Sequence, residues 1–396
     1  LANWKIATSN HLTSNHLNWL SKILQFFSIH PQYIASPDAQ GKRIGNTNMN
    51  NFTRLEQPTG RLITVDDKEY LFFGGTSYLG LATDHTYASI FIEGIQRYGI
   101  NNGTSRNNNV QQAIYDQAER YAARRFDFEA SLLLSSGYLA TQFLIKTLAG
   151  EGELLYAPSC HPSLWLDEKP VVAGSFIDWA NSTVAYINQS VQKSFIIVSN
   201  SLDNMKPEIY DFTVFAQINP SKRVLLLLDD SHGIGVMRKN SISFDKSRFN
   251  LANIELIVVA SLAKGLATDA GLILADEQRI QKLKKSNFYT GASPSSPASL
   301  YAFVHGEEIY LQQFKKLQYN SSYFKARIMS RLNAVPNFPV FSSTDINLYE
   351  RLMASGILVS SFPYPLATDP LLNRIVVNAH HSEADLDRLS HAIGIY

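Results

Sequence analysis

Six short apolar runs limit what this chain can fold into more than any other feature: ASLLLSS (130–136), ELLYAP (153–158), SFIIVSN (194–200), RVLLLLDD (223–230), IELIVVAS (254–261) and GLILAD (271–276). Each has the length of a strand, and stretches with helical patterning, such as 85–98 and 111–125, lie between or before them. Strands this apolar need cover on both faces, which a mostly parallel sheet between layers of helices provides. The last run follows its predecessor too closely for a helical crossover and is predicted to run antiparallel.

The first 50 residues read differently. They are rich in Asn, Ser and His, and one apolar patch, WLSKILQFFSIH, fits a short amphipathic helix, so residues 1–53 are expected to form an arm. LITVDDKEYLFFGG then reads as a hairpin turning at Asp66-Asp67, placed at 60–75 within a large domain of residues 54–296. After TGASPSSPASL, a helix-rich stretch (297–333) opens a smaller α+β domain, residues 297–396. No internal repeat is visible.

Lys and Arg number 35 against 34 Asp and Glu, with no run of like charge. This argues against a nucleic-acid groove and for small-molecule partners. A hydrophobic content of 45% supports a large core. The single cysteine, Cys160, excludes an intrachain disulfide and any cysteine-only metal site, and fits a reducing compartment. No apolar stretch approaches the length of a membrane span, and the polar first residues carry no charged-then-apolar signal pattern. The expectation is a cytoplasmic protein that binds neither nucleic acid, membrane nor metal.

In an open α/β sheet, ligands sit beyond the carboxyl ends of the strands, and four of these ends carry chemistry. IVVAS hands over to Leu262-Ala263-Lys264. Desolvation there disfavours the charged lysine and leaves a nucleophilic amine; the alternative is an ammonium that snorkels to the surface. In LLLLDDSHGIG, Asp229 lies nearest the dry strand and is expected to be the costlier carboxylate, in need of a cationic partner. Alternatively it caps the next helix and His232 is a packed ring. LLSSGYLATQ sets Gly137 at a helix start, where free N–H groups form an anion site. YAPSCHPSLW puts His161 beyond another strand, with a structural histidine and an inert Cys160 as the plainer reading. Together these groups match one cofactor. Pyridoxal 5'-phosphate requires a lysine for its Schiff base, an Asp to keep the pyridine nitrogen protonated, a flat ring to stack on it and N–H donors for its phosphate.

With those residues in place, the sequence resembles the fold-type-I pyridoxal-phosphate enzymes and, more narrowly, the α-oxoamine synthases, from about Arg54 to residue 390. SYLGLATDH (77–85) resembles the family's N-D-Y-L-G-L motif, NNGTSR (101–106) its G-S-G-G-S-R stretch and SSGY its S-G-[FY]. DDSHGIG and SLAK resemble its D-[DE]-[AS]-H-x-x-G and [TS]-x-x-K. The resemblance implies a mostly parallel seven-stranded sheet in the large domain and a homodimer with shared sites. It implies that Lys264 forms the Schiff base, Asp229 pairs with the pyridinium, His161 stacks on the ring, His232 bonds its phenolic oxygen and Ser201 lies close by. Phosphate falls to Ser261 and to Ser136, Gly137 and Tyr138, with Thr290 of YTGASP reaching the partner subunit's phosphate. Arg374 takes the amino-acid carboxylate, a task suited to a bidentate guanidinium; Thr76 and Arg54 are further substrate positions. The implied activity is decarboxylating C-acyl transfer between an amino acid and an acyl-CoA or other acyl thioester, giving an α-amino ketone.

The chain departs from the family pattern in three places. The family's Asn before the tyrosine of the first motif is Thr76, a Gly and a His downstream of the S-R pair fall on Val110 and Tyr115, and the segment before Ser201 is shortened to VSNSLDN. These changes bear on substrate rather than cofactor. An aminotransferase or aldolase-type lyase on the same scaffold is the competing reading. Ser261-x-x-Lys264 also matches the serine–lysine pair of penicillin-binding hydrolases, but the S-D-N and K-T-G tripeptides that accompany it are absent.

Overall fold

Asp66 and Asp67 turn the first two strands, β1 (Leu62–Val65) and β2 (Lys68–Phe73), into the expected hairpin. Both take left-handed backbone, φ 50° and 58°, as a two-residue hairpin turn demands and short acidic side chains tolerate. The computed structural model describes residues 52, 54–249, 252–328, 331–363 and 368–394; the arm expected at 1–53 lies outside them but for residue 52. Two helices follow the hairpin, α1 (His85–Tyr98), capped by the Asp84 carboxylate on Tyr87 N, and α2 (Ile114–Phe126).

Every apolar run becomes a strand. In chain order come β3 (Ala130–Leu134), α3 (Gly137–Leu148), β4 (Glu153–Tyr156), α4 (Phe176–Gln189) and β5 (Ser194–Asn200). A two-stranded ribbon, β6 (Leu202–Asp203) and β7 (Glu208–Ile209), precedes β8 (Arg223–Asp229), β9 (Ile254–Ser261) and β10 (Gly271–Ala275). The sheet order is β3-β10-β9-β8-β5-β4. The strands β4, β5, β8 and β9 run parallel, and β10 runs antiparallel to both its neighbours, as its short connection requires. Among the described residues the sheet has six strands, not the seven implied by family resemblance; the six apolar runs account for all of them. Alternation along the strands feeds two cores. Leu132, Ile257 and Ile273 pack with α3 and α4 on one face, while Leu133, Val258 and Leu272 pack with α2 on the other.

The chain continues through α5 (Glu277–Lys284), α6 (Asn287–Gly291), α7 (Pro297–His305) and α8 (Glu307–Lys325). It then forms β11 (Val340–Ser343), α9 (Leu348–Ala354), β12 (Ile357–Pro363), β13 (Leu371–Val376) and α10 (Glu383–Ile393). The second sheet has the order β1-β2-β12-β13-β11. Two expectations are corrected here. The hairpin does not belong to the large sheet, because β2 pairs in parallel with β12 and buries Leu71 and Phe73 in the C-terminal core. The helix α7, expected in the small domain, packs on α1 and α2 of the large one. Residues 51–396 cluster as a single compact unit.

Candidate active site

Parallel strands deliver their carboxyl ends to one edge, and that is where the candidate residues meet. Asp229 closes β8 opposite Asn200, the last residue of β5, and Lys264 follows β9 after a short turn. A narrow cavity between these ends is lined by Lys264, Asp229, His161, His232, Ser201 and Asn200. It shares His161, Asn200, Asn204, His232 and Lys264 with a larger cavity of about 570 Å³, which is also lined by Trp165, Lys169, Pro170, Val172, Met205 and Phe362.

The amine end of the site is set by a chain of hydrogen bonds. Arg374 Nη2 donates to the Tyr78 hydroxyl (2.8 Å), which meets His232 Nδ1 (2.7 Å), and His232 Nε2 lies 3.0 Å from Lys264 Nζ. A guanidinium only donates, so Tyr78 accepts from it, and the one hydroxyl proton of this fully buried tyrosine goes to His232 Nδ1. The proton of a neutral imidazole then sits on Nε2 and points at Lys264, whose nitrogen must accept it as the free amine. Electrostatics agree. Burial pushes the Lys264 ammonium below its ordinary pKa, partly opposed by Asp229, and holds His232 well below that of a free imidazole, with Lys264 adding to the effect. Burial likewise lowers His161. Its Nδ1 accepts from Ser163 N (3.2 Å), and Asn200 fixes its backbone by accepting from His161 N (3.1 Å) while donating to Ser159 O (2.8 Å).

The two neighbouring carboxylates differ from expectation. Asp229 is the less costly of the pair: it is 9% exposed, faces the cavity and accepts from Ser231 N (2.9 Å). Asp230 is fully buried, and burial, reinforced by the charge of Asp229, raises its pKa to about 7. Alternation along an extended chain turns the second carboxylate away from the cleft and into the protein.

Against Ser261, at the end of β9, the start of α3 forms an anion cradle. At the start of α3, Leu139 N donates to Ser136 Oγ (3.2 Å) and Ala140 N to Ser136 O (3.0 Å). The amides of Gly137 and Tyr138, like the hydroxyl of Ser261, find no partner among the described residues. A Cβ at Gly137 would come 2.4 Å from Ser261 Cβ, so only glycine lets the helix start approach Ser261 this closely. The side chain of Ser136 is spent on capping and that of Tyr138 is exposed; their contribution here is backbone.

Arg374 is buried on β13. Its remaining bonds go to the carbonyls of Asn204 (Nε, 3.2 Å) and Gly75 (Nη1, 3.0 Å), so every partner is neutral and the cation has an unmet demand for an anion. Other expected positions are not brought in. Thr76 lines a separate hollow beside Ala263 and Asp269, Arg54 is exposed outside both cavities, and the Thr290 hydroxyl bonds Ser286 O within its own turn (3.1 Å). Val110 is 72% exposed and Tyr115 is buried against Ser295 O, neither of them on the cavities. Sequence reasoning missed Tyr78, Asn200, Asn204 and Asp230 as parts of the site. The first motif contained Tyr78, and the strand-end position of Asn200 was the available signal for it.

An aldehyde-bearing ring with a phosphate tail fits this arrangement, since an amine and a carboxylate line one cavity, and the helix start that a Cβ at residue 137 would push off Ser261 meets the chain three residues before Lys264. A cleft of that kind at the strand ends of a mostly parallel sheet defines the class, a fold-type-I pyridoxal-phosphate enzyme. Comparison with known proteins narrows it. The family described as aminotransferase class I and II matches residues 170–393. The 8-amino-7-oxononanoate synthase of Petrotoga mobilis is 24% identical over 353 residues, covering 84% of this chain and 90% of that protein. Among solved structures, a serine palmitoyltransferase from Sphingomonas wittichii shares the fold at a TM-score of 0.73, with 16% identity and 97% of each chain covered. An 8-amino-7-oxononanoate synthase from Francisella tularensis does so at 0.58, with 18% identity over 82% of this chain and 96% of that one. The chain belongs to the aminotransferase class I and II family and, within it, to the pyridoxal-phosphate-dependent α-oxoamine synthases.

Proposed function

We propose that this enzyme condenses a small amino acid with an acyl thioester, releasing CoA and carbon dioxide to leave an α-amino ketone, with L-alanine and a pimeloyl thioester as substrates, as in an 8-amino-7-oxononanoate synthase. The observation that carries this reading is the larger, partly apolar cavity that shares Lys264, His161 and His232 with the narrow Lys264–Asp229 cavity, room for a second substrate beside the first. When bound, pyridoxal phosphate supplies an aldehyde for an amine to capture and a ring that takes up an electron pair. Lys264 would be the amine that holds it, and the Lys264 Nζ, as a free amine, would accept the proton from the substrate's α-carbon. Asp229 would keep the ring nitrogen protonated, His161 would cover the ring and His232 would direct a proton toward the Lys264 end. Ser261 and the amides of Gly137 and Tyr138 hold the phosphate, and Arg374 receives the carboxylate that satisfies its buried charge. The enzyme works in the cytoplasm as a homodimer in which Thr290 reaches the partner's site.

The protein reconstituted with pyridoxal phosphate is expected to be yellow and to lose its visible band on borohydride reduction. The label should appear on the peptide containing Lys264 and be absent from Lys264→Ala. Acyl-CoAs are then offered with alanine, glycine or serine. Free CoA with carbon dioxide is the expected product pair, fastest with alanine and pimeloyl-CoA; a keto acid or aldehyde without CoA release would replace acyl transfer with the aminotransferase or lyase reading.

A further inference from the structure

Behind the cleft carboxylate lies a second one that the proposed chemistry leaves idle. Asp230 Oδ1 is 2.5 Å from Ser201 Oγ, and Oδ2 accepts from Ser243 N at 2.8 Å. Ser201 lines the same narrow cavity as Asp229, His161 and Lys264. The enclosure is tight: a Cβ at Gly233 would come 2.4 Å from Asp230 Oδ1 and 2.3 Å from Ser243 Cβ. The charge facing Asp230 is Asp229, from its own strand, and it opposes ionisation. The residues met from β9, from the turn after β5 and from the Gly233–Ser243 loop are Val259, Ser201, Gly233 and Ser243, none of them charged.

The bonding pattern favours one site for a proton on this carboxyl. Oδ2 accepts from Ser243 N–H, and Oδ1 makes the shorter contact, to Ser201, so the proton of the neutral acid is placed on Oδ1, pointing at Ser201. Ser201 Oγ then accepts, and its own proton is free to point into the cavity. When Asp230 ionises, Oδ1 becomes an acceptor, Ser201 turns its proton back to it, and the cavity meets oxygen lone pairs in place of a donor.

We propose that Asp230 is a positioning residue that sets the direction of the Ser201 hydroxyl at the cavity wall, a donor into the cavity when Asp230 is neutral and an acceptor when it is ionised. The proposal rests on the reading that the cavity takes the cofactor ring. Burial raises the pKa of Asp230 to about 7, which puts the reversal near neutral pH.

The test has two readouts. Infrared spectroscopy of the apoprotein follows the carbonyl stretch of a protonated buried carboxyl with pH. The band is expected in wild type, lost with a midpoint near 7, and absent from Asp230→Asn. In Ser201→Ala its midpoint should move upward, because the bond from Ser201 favours the ionised form. In the second, the visible band of bound pyridoxal phosphate is titrated. An Asn at 230 keeps its carbonyl on Ser243 N–H and its amide on Ser201, fixing the neutral arrangement at every pH. The wild-type component that shares the infrared midpoint is therefore expected to vanish in Asp230→Asn, and Ser201→Ala to lack it as well. A midpoint in the infrared that ignores Ser201→Ala, or a holoenzyme titration identical in all three proteins, would overturn the proposal. Failure of wild type to bind pyridoxal phosphate would sink the functional reading instead, while the infrared midpoints still decide the coupling of Asp230 to Ser201.

Discussion

Tyr78 touches both charged ends of the site, accepting from Arg374 and donating to His232, and through His232 it holds Lys264 as the free amine. Removing the hydroxyl in Tyr78→Phe frees the imidazole to present a lone pair to Lys264, which favours the ammonium. The sign follows: burial depresses the lysine pKa in wild type, so its reactive neutral form is present at lower pH than for a free lysine, and the variant gives back part of that shift. The lost hydrogen bond, about 1 kcal/mol, therefore moves the profile upward in pH. The pH dependence of Lys264 acylation in the apoprotein measures it directly, and an unmoved profile would break the proton-placement argument. The strand-end positions of Lys264, Asp229, His161 and His232 were all readable in the sequence, because an apolar run that ends in a polar residue announces which side chain leaves the sheet. Which of Asp229 and Asp230 faces the cleft was not readable, since two adjacent residues exchange faces with a shift of one in register.

Strand β10 explains how α3 reaches Ser261. It lies between β3 and β9, and its first residue, Gly271, is paired with both Leu134 and Ser261. Two strand spacings, about 10 Å, would otherwise separate the start of α3 from the end of β9. A Cβ at Gly271 would fall 2.1 Å from Ser136 O, so its absence lets the Ser136 carbonyl cross the strand and Gly137 rest on Ser261. Gly137→Ala is therefore expected to push the helix start off Ser261. The overpacking cost is about 1–3 kcal/mol of stability, and affinity for pyridoxal phosphate should fall at least about tenfold because the two partnerless amides move with it. Equilibrium reconstitution of the apoprotein beside a urea unfolding curve separates the two effects. Affinity equal to wild type would mean that the cradle is not where phosphate binds. The helical start in LLSSGYLATQ was legible from Ser136 and the apolar spacing after it. Its seat on Ser261 was not, because that depends on a glycine 134 positions later in the chain.

At the scale of the whole molecule, the hairpin couples the two sheets. Arg61 clasps Asp385 with two bonds, Nε to Oδ2 at 2.6 Å and Nη2 to Oδ1 at 2.7 Å, tying the hairpin to α10, while β2 joins β12. The chain leaving β2 thus brings Gly75 and Tyr78 to Arg374, 296 residues further along from Tyr78. Sedimentation should give twice the chain mass for the proposed homodimer. Mixing Lys264→Ala with a phosphate-site variant, Thr290→Ala, tests shared sites: activity changes that follow the mixed population are expected, and additivity of the two parents would remove Thr290 from the partner's site. The sequence by itself determined the six strands of the large sheet, the antiparallel last strand and the four reactive strand ends, because each follows from local periodicity and the length of a connection. Tertiary structure decided the second sheet's membership, the Arg374–Tyr78–His232–Lys264 chain and the burial of Asp230. Those depend on which distant segments pack together, and a neutral amine or a protonated carboxyl exists only once packing has excluded water from it.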